Sequence, residues 1–264
     1  MLRILFLGDI VGEPGRKTVI KELSSIQERL EIDFIIANGE NAAGGRGITP
    51  KIAIDLLRAG VAVITTGDHV WDQSEIMDFM ELEPRVLRPI NYPAGTVGAG
   101  SMVLDTAKGK VAVLNAQGRS FIQPPLENPF LMLEAEIDKL KEAEGVKVIF
   151  LDFHAETTSE KIAIARSLDG KLSAVVGTHT HVQTADEQIF PGGTAFLCDA
   201  GMCGPLESVL GRAIEPVIER FKTATPRRFP VAKGAVGLRG AVVDIDEMTG
   251  KAVKIERFSE NYDY

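Results

Sequence analysis

The chain has four histidines among its 264 residues, His69, His154, His179 and His181, and each follows an apolar run by a few positions. Two of them stand in Gly177-Thr178-His179-Thr180-His181, directly after the run 172–176. Such runs read as buried strands, and in an open α/β sheet ligands bind at the carboxyl ends of the strands. Oxygen donors occupy the same kind of position: Asp9 after the run 2–7, Glu40 and Asn41 after 33–37, and Asp68 beside His69 after 61–64. Taken singly, each is unremarkable, since Asp and Asn at strand ends make local turn hydrogen bonds and a lone histidine is mostly a surface or satisfied core residue. The set carries the signal. Carboxylates mixed with imidazoles suit Mn, Fe or Zn better than Ca or Mg. Eight candidates exceed one tetrahedral site and suit two ions sharing a bridging carboxylate. Two metals ~3.5–4 Å apart clamp a phosphorus centre for in-line displacement, and a bridging hydroxide is a nucleophile at neutral pH. In an extended segment, His-x-His places both rings on one side, so His179 and His181 are expected to face the same ions.

Rival chemistries are poorly supplied. The chain has no Gly-x-Ser-x-Gly elbow, no Gly-Lys-Ser/Thr phosphate loop and no Gly-x-Gly-x-x-Gly after its first strand. Gly44-Gly45-Arg46-Gly47 reads either as a flexible loop or as a phosphate cradle with Arg46 as its charge, and Arg119, just past another strand, has similar standing.

The elements that must position these residues follow from periodicity. The first strand runs directly into a tight loop, 10–15, and then a helix carrying Val19, Leu23, Ile26 and Leu30. Thr49-Pro50 is an N-cap with proline at the first helical position, opening a helix with Ile52, Leu56 and Leu57. A helix is expected over 74–80, a Pro- and Gly-rich crossover over 81–100, and strands at 101–104 and 110–114. An amphipathic helix with Leu133, Ile137 and Leu140 stops at Gly145, and a strand at 146–151 delivers His154. A helix at 159–168, strands at 172–176 and 194–197, a helical stretch at 206–222 and a closing pair at 240–245 and 252–255 complete the chain. The layout is layered α/β with antiparallel strands added late, and a single domain over 1–264 is expected.

Composition sets limits on function. Hydrophobic residues make up 45% and charged residues 25%, ordinary for a globular chain. A net charge of -8 argues against affinity for long nucleic acid built on a basic footprint. It leaves room for a small phosphodiester, because bound cations reverse the local charge. No apolar run approaches the ~20 residues of a membrane span. The start of the chain reads as a strand and not as an export signal, so a cytoplasmic location is expected. Cys198 and Cys203 cannot form a disulfide framework and read as structural residues. Self-association into a symmetric oligomer is compatible with the sequence.

Five ordered motifs resemble the bacterial YmdB-like branch of the calcineurin-like metallophosphoesterases: Gly8-Asp9-Ile10-Val11-Gly12, Asn38-Gly39-Glu40-Asn41, Asp68-His69-Val70-Trp71-Asp72, Asp152-Phe153-His154-Ala155-Glu156 and Gly177-Thr178-His179-Thr180-His181. Asp199-Ala200-Gly201-Met202-Cys203-Gly204-Pro205 adds a sixth. The resemblance covers essentially the whole chain. It implies a four-layer α/β fold, a central β-sandwich of two mixed sheets flanked by helices. It also implies two metal ions, iron or manganese with zinc as a further option, and phosphodiesterase activity on cyclic nucleotides, above all 2′,3′-cyclic ones. Carried over by motif, Asp9, Glu40, Asn41 and His181 would hold the first metal, with Asn41 in place of the histidine that the wider superfamily has where Val11 stands here. Glu40 would bridge to a second metal held by Asp68, His154 and His179, and His69 would be the general acid that protonates the leaving oxygen. Where the family pattern has Asn before the motif histidine, this chain has Asp68. The extra charge would tighten the second metal and lower the charge presented to a phosphate. Alternatives are a phosphomonoesterase, another metal hydrolase such as an amidase, or a metal-stabilised regulatory or scaffold protein with little turnover.

Overall fold

A computed structural model describes residues 1–263, apart from the side chains of residues 143 and 144. The first sheet begins with β1 (Leu2–Leu7) and β2 (Asp9–Ile10), followed by α1 (Gly12–Arg29), β3 (Phe34–Asn38), α2 (Pro50–Arg58), β4 (Val63–Thr65) and α3 (Ile76–Leu82). The chain then crosses to a second sheet through β5 (Ser101–Thr106), β6 (Gly109–Gln117), α4 (Pro129–Glu144), β7 (Val148–His154), α5 (Thr158–Ser167), β8 (Ala174–Thr178), β9 (Gln188–Ile189) and β10 (Ala195–Leu197). It returns through β11 (Met202–Pro205), α6 (Ile214–Thr223), β12 (Val236–Ile245) and β13 (Ala252–Tyr262).

The first sheet has the order β2-β11-β12-β1-β3-β4, with β13 also on β12, and the second β5-β6-β7-β8-β10-β9. Both are mixed. β1, β3 and β4 run parallel, as do β6, β7, β8 and β10, whereas β12 is antiparallel to β1, and β5 and β9 are antiparallel edges. Strand alternation divides the core into three layers. Ile4 and Phe6 of β1 and Ile36 of β3 face Val113, Phe150 and Val176 of the second sheet, where the Phe6 and Phe150 rings lie 5.3 Å apart. The alternate residues Leu5, Leu7 and Ile35 face Val19, Leu23 and Ile26 of α1 and Leu56 of α2. Leu114, Leu151 and Val175 face Leu133, Ile137 and Ile164 on the far side. Helices therefore cover both outer faces, giving four layers with two mixed sheets in the middle, as the resemblance implies. With both faces of each sheet covered, central strands are apolar throughout and not alternating.

Local signals explain the helix ends. Thr49 caps α2 by accepting from the Ile52 N–H at 3.3 Å, with Pro50 in the first turn. Gly145 ends α4 in the left-handed conformation that a glycine adopts without penalty.

Three expectations need correction. Helix α1 starts at Gly12, so the loop expected over 10–15 is Ile10 of β2, the N-cap Val11 and then the first turn of the helix. Of the stretch expected to be helical over 206–222, only Ile214–Thr223 is. Leu206, Val209 and Leu210 imitate helical spacing, but Leu210 and Gly211 take positive φ values and Val209 and Arg212 form an antiparallel bridge. The strands before the histidines also run further than their apolar residues do, β7 through His154 and β8 through Thr178, because these polar side chains are themselves buried in the ladder. Among the described residues, no helix is long and apolar enough to cross a membrane.

Candidate metal centre

The carboxyl ends of β3, β4, β7 and β8, with the short β2, converge at one end of the sandwich. Each brings a donor. Gly67, just past β4, has no side chain to keep neighbours away: a Cβ there would stand 2.2 Å from the His154 ring and 2.4 Å from Glu40 Oε2. Asp68 follows and places Oδ1 3.0 Å from His154 Nε2 and 3.3 Å from His179 Nδ1. The two ring nitrogens are themselves 3.0 Å apart, and Glu40 Oε1 is 3.3 Å from His154 Nε2. Glu40, Asp68, His154 and His179 thus each offer one ligand atom, all within 4.8 Å of one another.

Asp9, Asn41 and His181 adjoin this group through Glu40. Asn41 Nδ2 donates to Glu40 Oε1 at 3.0 Å and lies 3.2 Å from His181 Nε2, which is 3.8 Å from Asp9 Oδ1. Asp9 Oδ2 accepts from the His179 backbone N–H at 3.2 Å, whereas its buried Oδ1 has no hydrogen-bond partner. An orphaned carboxylate oxygen at such a place is costly unless a cation meets it. The sequence-derived residues therefore form two adjoining donor groups with Glu40 common to both, a set that fits metal ions.

The histidine turn is built differently from the extended alternation expected of it. His179 and His181 have φ values of 103° and 66°, and the backbone turns between them. Their rings go to different groups, His179 to Asp68 and His154, His181 to Asn41 and Asp9.

The outer edges of the three rings carry the most information. His181 Nδ1 faces the Leu210 carbonyl at 3.2 Å, which only accepts, so Nδ1 holds the proton and Nε2 presents a lone pair inward. His179 Nε2 faces Glu156 Oε2 at 3.1 Å, which leaves Nδ1 free on the inner side. His154 Nδ1 faces Thr178 Oγ1 at 2.9 Å. That hydroxyl spends its one proton on Asp152 Oδ1 at 2.7 Å, so it accepts from Nδ1, and Nε2 is the nitrogen left to a metal once His154 is neutral. An outer acceptor fixing the tautomer is the usual support of a metal-bound imidazole. Asp152 is held by two further donors on Oδ2, Asn38 Nδ2 at 3.0 Å and Thr65 Oγ1 at 2.5 Å.

His69 is different. Its backbone N–H donates to Glu40 Oε2 at 3.2 Å, but its Nδ1 points to Asp72 Oδ2 at 3.2 Å, and the ring stands at the rim. Arg46 binds Asp72 at 2.9 Å and approaches His69 Nδ1 at 3.4 Å, so the glycine loop brings its cation to the rim. Arg119 does not join the cluster; its N–H donates to Glu160 at 2.9 Å.

The electrostatics follow from carboxylates crowded out of water. Burial alone would strip His154 of its proton, but Glu40, Asp68 and Asp9 more than offset this and hold its pKa well above the usual imidazole value. Burial likewise opposes ionisation of Asp68 and Glu40, yet His154 beside both keeps them below the ordinary carboxylate range. Burial pushes Asp9 up despite His181 and His154, and pushes Asp152 up to about 6 against His154 and its hydroxyl and amide donors. Cys198 and Cys203 are free, buried and pushed up to about 11 and about 12 by burial, consistent with a structural role.

Comparison with known proteins identifies the family and the fold. The family described as YmdB-like protein matches residues 5–258. A 2′,3′-cyclic-nucleotide 2′-phosphodiesterase of Bacillus subtilis is 49% identical over 263 residues, covering 100% of this chain and 98% of that one. A crystal structure described as a novel phosphatase of Mycoplasma pneumoniae superposes with a TM-score of 0.93 at 35% identity, covering 99% of this chain and 94% of that one. A Thermus thermophilus protein described as hypothetical gives 0.92 at 38%, covering 98% and 99%.

Proposed function

The chain belongs to the YmdB-like family, and from that premise we propose that it is a cytoplasmic, metal-dependent phosphodiesterase acting on cyclic nucleotides, foremost 2′,3′-cyclic ones. The observation that carries this reading is the common orientation of three imidazoles: His154, His179 and His181 each give an outer nitrogen to an acceptor and turn the other nitrogen toward carboxylates. The substrate class rests on the Bacillus relative.

Asp9, Glu40, Asn41 and His181 would hold one ion, the Asn41 amide turning half round to present Oδ1. Asp68, His154 and His179 would hold the other, with Glu40 reaching both. Iron or manganese suits this mixture of oxygen and imidazole nitrogen, with zinc as a third choice. When bound, the two ions neutralise the phosphate and supply a nucleophile at neutral pH. The remaining work belongs to the chain. Glu40 ties the groups together and fixes the His69 backbone through Oε2. His69, outside the ligand group and at its rim, donates the proton to the departing ribose oxygen, its ring oriented by Asp72. Arg46, anchored on Asp72, stands where it would attract an anionic substrate.

Asp68 favours a second reading. A third carboxylate among the ligands reduces the net charge left to bind phosphate, so a metal-holding protein with little turnover is the alternative. The two separate in one experiment. Metal content is measured on the purified protein, then turnover of 2′,3′-cyclic AMP, bis-p-nitrophenyl phosphate and p-nitrophenyl phosphate after reconstitution with Mn or Fe. Close to two ions per chain with diester turnover is expected. Two ions without turnover supports the alternative, and turnover of the monoester alone refutes the diesterase assignment.

A further inference from the structure

Directly behind the histidine turn lies a buried ion pair that the chemistry above does not use. Lys161 of α5 and Asp199, after β10, are each 1% exposed, and Nζ donates to Oδ2 at 2.7 Å. Lysine is almost never this buried unless paired, and such a pair gives little net stability compared with packed apolar side chains. Its presence calls for another role.

Asp199 does more than neutralise Lys161. The same Oδ2 accepts from the Thr180 N–H at 3.1 Å and the Thr180 hydroxyl at 2.8 Å, while Oδ1 accepts from the Gly201 N–H at 2.8 Å. Thr180 is the residue between His179 and His181, both held at positive φ, a conformation that a non-glycine residue keeps only when its surroundings enforce it. The segment 199–201 also touches both sheets. The Ala200 N–H donates to the Gly177 carbonyl at 2.8 Å, and the Gly201 carbonyl accepts from the Asp9 N–H at 3.1 Å. The approach is close enough that a Cβ on Gly177 would stand 1.9 Å from the Cys198 carbonyl oxygen, and one on Gly8 2.0 Å from that of Gly201. A carboxylate is required because both of its oxygens accept; an amide would set a donor against a donor.

We propose that the Lys161–Asp199 pair is a positioning device that locks the His179-Thr180-His181 turn against Asp9, setting the separation of the two donor groups that share Glu40. The inference rests on the assignment of His179, His181 and Asp9 as metal ligands. Lys161 holds the Asp199 carboxylate in place, Asp199 pins Thr180, and the segment to Gly201 carries the same constraint to Asp9.

The test uses metal-depleted full-length protein titrated with Mn(II) and read by electron paramagnetic resonance, which distinguishes an exchange-coupled pair of ions from isolated ones. Wild type is expected to take two ions and give the coupled signal. Thr180→Val, which loses only one hydroxyl contact, should keep its fold by circular dichroism, bind the second ion at least ~10-fold more weakly and lose the coupled signal. Thr180→Ser should restore both. Asp199→Asn and Lys161→Met should show larger losses, and if either fails to fold the Thr180 pair decides alone. Thr180→Val with wild-type affinities and a wild-type coupled signal overturns the proposal. A wild type that binds no manganese instead overturns the ligand assignment beneath it, and the inference with it.

Discussion

Replacing Asp152 by asparagine should change the proton on a histidine that it does not touch. Asp152 accepts from Thr178 on one oxygen and from Asn38 and Thr65 on the other. An amide at this position has two orientations. With its NH2 toward Asn38 Nδ2, two donors face each other across 3.0 Å, which costs about 1–3 kcal/mol. With its NH2 toward Thr178, Asn38 and Thr65 stay satisfied, but the Thr178 hydroxyl must accept from the amide and turn its own proton toward His154 Nδ1. Neutral His154 then carries its proton on Nε2, pointing at Glu40 and Asp68 in place of a lone pair. To bind a metal it must return to the other tautomer and leave a buried hydroxyl facing a donor, again about 1–3 kcal/mol, or roughly 5- to 150-fold in affinity. This range overlaps that observed when outer partners of metal ligands are removed. Nitrogen-15 correlation spectra of the metal-free variant, recorded at a pH high enough to make His154 neutral, report the tautomer, and calorimetric titration with Mn(II) reports the affinity. Wild-type affinity together with an unprotonated Nε2 in Asp152→Asn would refute the reasoning. The wild type should imitate the variant in acid: with Asp152 pushed up to about 6, its carboxyl can donate to Thr178 below that pH. Metal affinity should therefore fall more steeply below pH 6 in wild type than in Asp152→Asn.

Other expectations follow from the same geometry. His69→Ala should retain both metals while losing ~10²–10⁴-fold in kcat; complete loss of metal in that variant would remove His69 from the role of general acid. His154→Ala and His179→Ala should lose metal and rate together, the former more severely because Glu40, Asp68 and His179 all converge on its Nε2, and elemental analysis checks this. In the metal-free protein His154 has a raised folded pKa, so its stabilising interaction with the carboxylates is fully present below the unfolded value and fades as pH rises through the folded one. The increase in Tm on adding metal should accordingly be larger at pH 8 than at pH 6, with protons released on binding at the lower pH; equal increases at both would contradict it. Gly177→Ala should be among the most damaging single changes, because its Cβ would stand 1.9 Å from the Cys198 carbonyl oxygen, which is backbone and cannot swing aside, and 2.9 Å from Cδ of the buried Lys161; overpacking costs ~1–3 kcal/mol or more, measured by denaturant unfolding.

The fold was legible wherever a local rule dominated. Buried strands such as β1, β3 and β7 are apolar runs ending at polar motifs, and the ends of α2 and α4 carry Thr49-Pro50 and Gly145. What escaped was structure set by distant partners. The two-residue β2 exists because Met202 and Cys203 pair with it, and no pattern in Asp9-Ile10 announces that. The proposed ligand residues were legible as a set, because carboxylates and imidazoles recur together after successive strands, although each alone is unremarkable. Their supports were less so. Glu156 and Thr178 lay inside recognised motifs without an assigned role, whereas the Leu210 carbonyl has no side-chain signature at all. Lys161 did leave a trace: positions 161, 164, 165 and 168 share one helical face, and a lysine in line with Ile164, Ala165 and Leu168 is a charge on an apolar stripe. Asp152 left a similar one, an acid within the apolar run that leads to His154.

Charge balance joins these observations into one argument. Five carboxylates, Asp9, Glu40, Asp68, Asp152 and Asp199, gather at one end of the sandwich, and four of them are almost wholly removed from water. Asp199 has Lys161. Asp152 has three hydrogen-bond donors, and with its pKa pushed up to about 6 it gives up its charge as the pH falls through that value. Asp9, Glu40 and Asp68 have no lysine or arginine of their own among the described ion pairs, only the histidines. In metal-free protein the burden falls on His154, which explains why it holds its proton against complete burial. One imidazolium cannot balance three carboxylates in a medium of low dielectric, and Asp9 Oδ1 is left with no hydrogen bond. On the proposed reading, two divalent ions would restore the balance and free His154 to act as a ligand. Bound metals would then be components of the folded state at this end of the molecule as well as reagents, and their removal should loosen the strand ends before it loosens the sandwich beneath.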